Sequence, residues 1–162
     1  MSAATDKHHT KSGLIPEWLV IGPFEGGEPD ALLEVPFIYD ESGLAPDDGE
    51  LYQAHQWSAK KVDAQGKIDF MQIGITRENV CMYAHVYVNS ETVCNACLCI
   101  KSTDAYAVWM NGCRIITSDS RQAGTAEPDR ARIRLGRGWN RILLKVIHHV
   151  GGFAFTGRIT DM

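Results

Sequence analysis

Between residues 80 and 88 the chain alternates strictly. Met82, Ala84, Val86 and Val88 share one side, and Cys81, Tyr83, His85 and Tyr87 share the other. A period of two marks a strand with one face toward a core. Ala96, Leu98 and Ile100 continue the apolar side of a following strand, with Cys97, Cys99 and Lys101 opposite. Residues 105–110 and 113–117 flank Asn111-Gly112. That dipeptide between two β-rich runs predicts a hairpin, because a type I′ turn needs positive φ at both central positions. Residues 132–135 alternate again, Gly136-Arg137-Gly138 turns the chain, and residues 140–146 form a strand. Phe153, Phe155 and Ile159 line a last strand that ends at Asp161.

The first half is less regular. Residues 17–24 read as a short apolar strand stopped by Gly22-Pro23. Residues 25–50 are crowded with Gly, Pro, Asp and Glu, which predicts loops, with one helical turn at 31–34 and a short strand at 37–40. Residues 51–62, carrying Trp57, enter another strand. Strands recur every ~8–12 residues with turns between them and no long helical pattern, which predicts an all-β antiparallel sandwich or barrel. Residues 13–162 read as that single domain, and residues 1–12, polar and containing His8-His9, as a flexible tail.

Length agrees, since 162 residues match one domain with enough buried surface to dispense with disulfide or metal staples. The balance of 16 basic and 20 acidic residues, net charge -4, lacks the basic excess that phosphate backbones attract, so no nucleic-acid partner is expected. No stretch approaches the ~20 apolar residues of a spanning helix, so no membrane partner is expected either. Five cysteines leave at least one without an intrachain partner. Cys94, Cys97 and Cys99 invite a zinc reading, but no second short Cys/His pair completes four ligands, and small β-compatible packing is the better account.

Three segments occur in order: residues 18–24 (WLVIGPF), 108–112 (VWMNG) and 138–146 (GWNRILLKV). Together they resemble the galactose-binding-domain-like jelly rolls. These include the sugar-binding domains of large β-glycosidases and the carbohydrate-binding modules of bacterial polysaccharide-degrading proteins. The resemblance implies a jelly roll of about eight or nine strands, non-catalytic binding of a polysaccharide or oligosaccharide, and a catalytic domain elsewhere in the parent protein. It also implies secretion or display at the cell surface. In such domains the matching motifs build scaffold: Trp18 and Phe24 fix the first strand, Asn111-Gly112 turns, and Gly138-Trp139-Asn140 shapes a corner. Many relatives carry a structural calcium. Its ligands have no residue-by-residue counterpart here, and Asp40, Glu41 and Asp161 are the carboxylates on hand for one.

A sugar binder needs flat aromatic surface with polar groups at its rim. Strand alternation sends Tyr83, His85 and Tyr87 away from the core, and an antiparallel partner at 94–101 would set them near Cys99, Cys97 and Asn95. The competing reading has the acidic loop segment 25–50 covering that face and making the tyrosines a second small core. Tyr106, beside Ser102-Thr103-Asp104, and Trp139, in its glycine turn, are candidate ligand-binding residues on loops. Trp109 and Arg114 should face each other across the hairpin as a cation–π pair. Trp57 reads as core. No nucleophile elbow, zinc-protease helix or phosphate loop occurs, and the acids cluster in turns, so no enzymatic role is expected. The alternative to sugar binding is a structural accessory domain packing on a catalytic partner, or an assembly domain recognising protein.

Overall fold

The computed structural model describes residues 4–6, 13–119 and 127–161, and most of the expected tail, with His8-His9, lies outside them. Thirteen strands occur among the described residues: β1 Ala4–Asp6, β2 Glu17–Phe24, β3 Leu51–Tyr52, β4 His55–Gln56, β5 Ser58–Lys61, β6 Ile68–Asp69, β7 Val80–Ser90, β8 Cys94–Ser102, β9 Tyr106–Met110, β10 Cys113–Ser118, β11 Asp129–Leu135, β12 Gly138–His148 and β13 Ala154–Asp161. The larger sheet runs β10-β9-β12-β7-β2-β5, with β1 lying parallel along the end of β7, and the smaller runs β11-β8-β13-β6. The long strands pair antiparallel within each sheet. From β7 to β8, β8 to β9 and β12 to β13 the chain steps from one layer to the other, so the fold is an all-β sandwich of jelly-roll type.

The even-numbered residues of β7 and β8 meet in the core between the sheets, joined by Trp18, Tyr106, Leu144, Phe155 and Ile159. Trp18 meets Phe155 edge-on at 5.1 Å. A Cβ on Gly157 would come within 2.7 Å of the Trp18 indole, so this position of β13 tolerates only glycine without a shift. The Asn-Gly hairpin forms with φ of 49° at Asn111 and 84° at Gly112, and Arg114 lies 5.2 Å over the Trp109 ring as expected.

Two sequence expectations about pairing fail. The strands β7 and β8 do not pair: β7 lies between β12 and β2, whereas β8 lies between β11 and β13. Both bury their even faces in one core, and alternation cannot distinguish neighbours in a sheet from strands facing each other across a sandwich. Residues 37–40 form bends and a turn leading into the 3-10 turn Glu41–Gly43, not a strand. The expected helical turn is present as the 3-10 helix Pro29–Glu34.

Residues 25–57 wrap over the outer face of the larger sheet. Leu32, Leu33, Ile38 and Trp57 from this cap join Leu19, Ile21, Tyr83, Trp109, Leu143 and Ile147 from the sheet in a second apolar core. A buried ionic contact pins it. Lys145, fully buried on β12, puts its Nζ 2.7 Å from Glu41 Oε2, donates to the Val35 carbonyl, and stands 5.6–5.7 Å from the ring centres of Tyr83 and Phe37.

Candidate functional site

The cap decides the fate of the aromatic stripe. Tyr83 and His85 are fully buried beneath it, which corrects the expectation of an exposed platform at these two residues. Tyr83 donates its hydroxyl to Glu41 Oε2 at 2.5 Å, and burial, with the charge on Glu41, pushes its pKa upward. His85 lies 4.7 Å from the Tyr87 ring and 6.4 Å from Trp57, and neither ring nitrogen makes a hydrogen bond of normal geometry within the protein. Burial outweighs a backbone contact at Leu44 that favours the charged form and, with the positive charge of Arg141, lowers its pKa to about 3. Tyr87, half-buried at the edge of the cap, spends its hydroxyl on the Pro46 carbonyl at 2.9 Å. The physical reason is simple: the outer face of β7 is apolar enough to need a cover, and the turn-rich segment supplies one.

Tyr106 is corrected as well. It points into the core between the sheets, and its hydroxyl donates to the Asp129 carboxylate across to β11, leaving no surface for a ligand. Burial and that carboxylate raise its pKa. Asp104 beside it is also buried, its carboxylate accepting from the N–H groups of Ala105, His149 and Val150. Trp139 is different. It is 55% exposed at the far end of β12, in register with Asn89, while Asn140 turns inward and ties the Gly136–Gly138 corner with its side-chain amide. The carboxylates considered for calcium do not assemble: Glu41 is committed to Lys145 and Tyr83 on the larger sheet, and Asp161 ends β13 in the smaller. Among the described residues no group of three or more His, Cys, Asp or Glu side chains comes together to hold such an ion.

A groove of about 430 Å³ lies where cap and sheet meet, lined by Pro23, Phe24, Glu25, Phe37, Gln53, His55, Arg77 and Val80. Alternation along β2 would place Phe24 in the inner core with Val20. A register shift between Ile21 and Phe24 inserts an irregularity at Gly22-Pro23 and turns Phe24 to the cap side. There its ring meets His55 at 4.5 Å, Phe37 at 6.0 Å in a stacked arrangement, and buried Tyr83 edge-on at 5.7 Å. The stripe residue Tyr83 therefore buttresses the groove from below. Tyr39 carries its ring into solvent on the same loop as Phe37, its backbone N–H donating to the Tyr52 hydroxyl. Polar groups stand at the rim: Arg77 is paired with Glu25, both largely exposed, and Gln53 sits exposed at φ 54°. Phe37, Tyr39, Gln53, His55 and Arg77 were not read as site residues from sequence. The available signal was the presence of Phe37 and Tyr39 inside an otherwise polar, turn-rich stretch.

No family model and no curated protein matches the chain. Among solved structures it is similar to a β-glucosidase from Kluyveromyces marxianus, at 9% identity and a TM-score of 0.50, covering 70% of this chain and 15% of that one. The same enzyme in complex with glucose aligns at 13% identity over 89% of this chain and 15% of its own, TM-score 0.46. A GH31 alpha-xylosidase from Xanthomonas citri aligns at 8% identity over 96% of this chain and 17% of its own, TM-score 0.42. The chain thus spans about a sixth of the glycosidase chains it matches. At such identity the first likeness concerns the fold alone.

Proposed function

We propose that this chain is a non-catalytic carbohydrate-binding β-sandwich that works as part of a larger secreted or surface protein with a catalytic domain. The groove between cap and sheet carries the reading. Its volume falls in the range of ~300–1,000 Å³ typical of small-molecule sites, and it combines aromatic walls with a few polar groups at the rim. A pyranose ring set against Phe37 and His55 would bury its apolar face there, with Gln53, Arg77 and Glu25 reaching its hydroxyls. The fold likeness to part of a β-glucosidase supports placing the module beside a glycosidase. Among the described residues Glu25 is the one carboxylate lining the groove, and it faces Arg77. Glycoside hydrolysis by the usual route needs two carboxyl groups flanking the bond, so binding without cleavage is the chemistry this groove suits.

The reading as a packing-only accessory domain is less favoured by the surface. Large exposed apolar side chains (Tyr39, Leu51, Met71, Ile73, Val93, Trp139, Val150) come from separate turns and strand ends, whereas an interface wants one contiguous patch. Trp139 lies about 27 Å from the groove, given eight residues of β7 between their register positions at ~3.4 Å each. It therefore serves as an internal control. Calorimetric titration with neutral gluco-, xylo-, manno- and galacto-oligosaccharides should show binding that Phe37→Ala and His55→Ala each weaken about tenfold, or ~1.4 kcal/mol. Salt should change it little, and Trp139→Ala should leave it alone. Absence of binding across the panel, or loss in the Trp139 variant only, overturns the groove as the site.

A further inference from the structure

The outer face of the smaller sheet has a composition unlike the rest of the molecule. Alternation along β11 exposes Arg130, Arg132 and Arg134, while Ile133 and Leu135 enter the core. Register then sets Arg130 beside Cys99 and Arg158, Arg132 beside Cys97 and Thr160, and Arg134 beside Asn95. One row further, Lys101 pairs with Thr156, and Lys67 lies just ahead of β6 on the other side. Lys67, Lys101, Ser102, Thr103 and Thr156 line a cavity of about 90 Å³ there. Six of the chain's 16 basic residues thus occupy one face of a protein whose net charge is -4.

On β8, β11 and β13 the outward positions hold arginine, lysine, threonine, asparagine, cysteine and one alanine, with no carboxylate. Asp69, at the end of β6, faces the same side and accepts the N–H of Met71. Among the described residues no carboxylate pairs with Arg130, Arg132 or Arg134. Arg130 instead reaches across the small Cys99 side chain, with Nη1 3.7 Å from its sulfur. Like charges on Arg130, Arg132 and Arg134 repel one another, so lining up these three brings the folded chain no electrostatic gain of its own. Successive arginines on β11 stand about 6.7 Å apart, two residues at the strand rise. Small side chains of Asn95, Cys97 and Cys99 floor the space beside them, giving a shallow basic track that ends at the two-lysine cavity.

We propose that this track binds an acidic polysaccharide, one carrying carboxylate or sulfate groups, laid along β11. Guanidinium groups grip such anions through paired N–H bonds. The cavity between Lys67 and Lys101 has room for one anionic group, about three water-sized volumes. A nucleic acid fits less well, because the outward positions of these strands carry no aromatic ring on which a base would stack. The acidic cap would also repel a densely charged duplex. The proposal rests on the carbohydrate-binding reading but places a second, separate site on the opposite side of the sandwich from the groove.

Affinity electrophoresis and calorimetry on the full chain test it, with polygalacturonate, dextran sulfate, neutral dextran, 20-base-pair duplex DNA and vesicles of anionic phospholipid, each at 50 and 300 mM NaCl. Binding to polygalacturonate, dextran sulfate or both, but not to dextran, is expected, and the arm that binds identifies carboxylate or sulfate as the anion. The exposed triple variant R130Q/R132Q/R134Q should lose at least tenfold in affinity and flatten the salt dependence, and K67Q/K101Q should lose several-fold. Neither should alter binding of neutral oligosaccharides at the groove. Circular dichroism spectra identical to those of the parent chain confirm that these variants are folded. No binding to either acidic polymer, binding unchanged in the arginine variant, or equal or tighter binding of DNA or vesicles overturns the proposal. If neutral sugars fail while acidic polymers bind, the groove reading alone falls.

Discussion

At the scale of single residues, His85 shows how burial converts a surface candidate into a structural liability. Its imidazole is sealed between Tyr87 and Trp57, neither nitrogen has a hydrogen bond of normal geometry, and its pKa is lowered to about 3. In the unfolded chain it would take up a proton near pH 6.5. Below that pH the unfolded state binds a proton that the folded state refuses, so stability falls as pH drops from about 6.5 toward 3, by up to roughly 1.4 kcal/mol per unit. His85→Leu, close in volume and without polar atoms, should remove that component. Urea denaturation at pH 7 and pH 4 should show a smaller acid loss in the variant than in the parent chain. Equal losses in the two proteins would show that His85 does not titrate in this way. At pH 7 the variant should be no less stable, because an unsatisfied buried polar group costs about 1–3 kcal/mol.

At the scale of elements, the cap and the strand pair β7–β12 depend on each other. Lys145 is fully buried, while Glu41 keeps about a seventh of its side chain in solvent. Removing the carboxylate strands a buried ammonium, whereas removing the ammonium leaves a carboxylate that water can still reach. Glu41→Gln should therefore destabilise more, by about 3 kcal/mol or above, than Lys145→Met. Thermal melts of the two variants decide this, and the reverse order would mean that the contact contributes little to holding the cap. The same elements show where the sequence was legible and where it was not. The long strands and the Asn-Gly hairpin appear where alternation and turn chemistry put them, because those signals are local. The cover over Tyr83 and His85 was weighed only as the competing reading. One clue lay in β12: Ile142-Leu143-Leu144-Lys145-Val146-Ile147 does not alternate, and an apolar run broken only by Lys145 marks a strand covered on both faces. Because β12 lies beside β7 in the folded sheet, the cover over that run extends over the stripe.

At the scale of the whole molecule, charge is segregated. Acids crowd the cap over the larger sheet, and arginines crowd the outer face of the smaller one. The net charge of -4 averages over this and hides it. The two cores lie on opposite faces of one sheet, with β7 and β12 contributing to both. Cap and sandwich should therefore unfold together. Heating followed by far-UV circular dichroism, which reads the strands, and by fluorescence, to which Trp57 in the cap contributes, should give coincident midpoints. An earlier fluorescence transition would mean that the cap melts on its own.

The amino-acid order alone determined the β class, the main strands and their inward faces, since these follow from side-chain period and turn residues within a dozen positions. Which strands became neighbours, what covered the outer face, and which rings stayed in reach of solvent were decided only in three dimensions. Phe24 turns toward the groove through a shift in strand register, and three arginines spaced by two become a basic face only when β11 is laid beside β8 and β13. Those outcomes depend on contacts between residues far apart in the chain, and no local pattern encodes them.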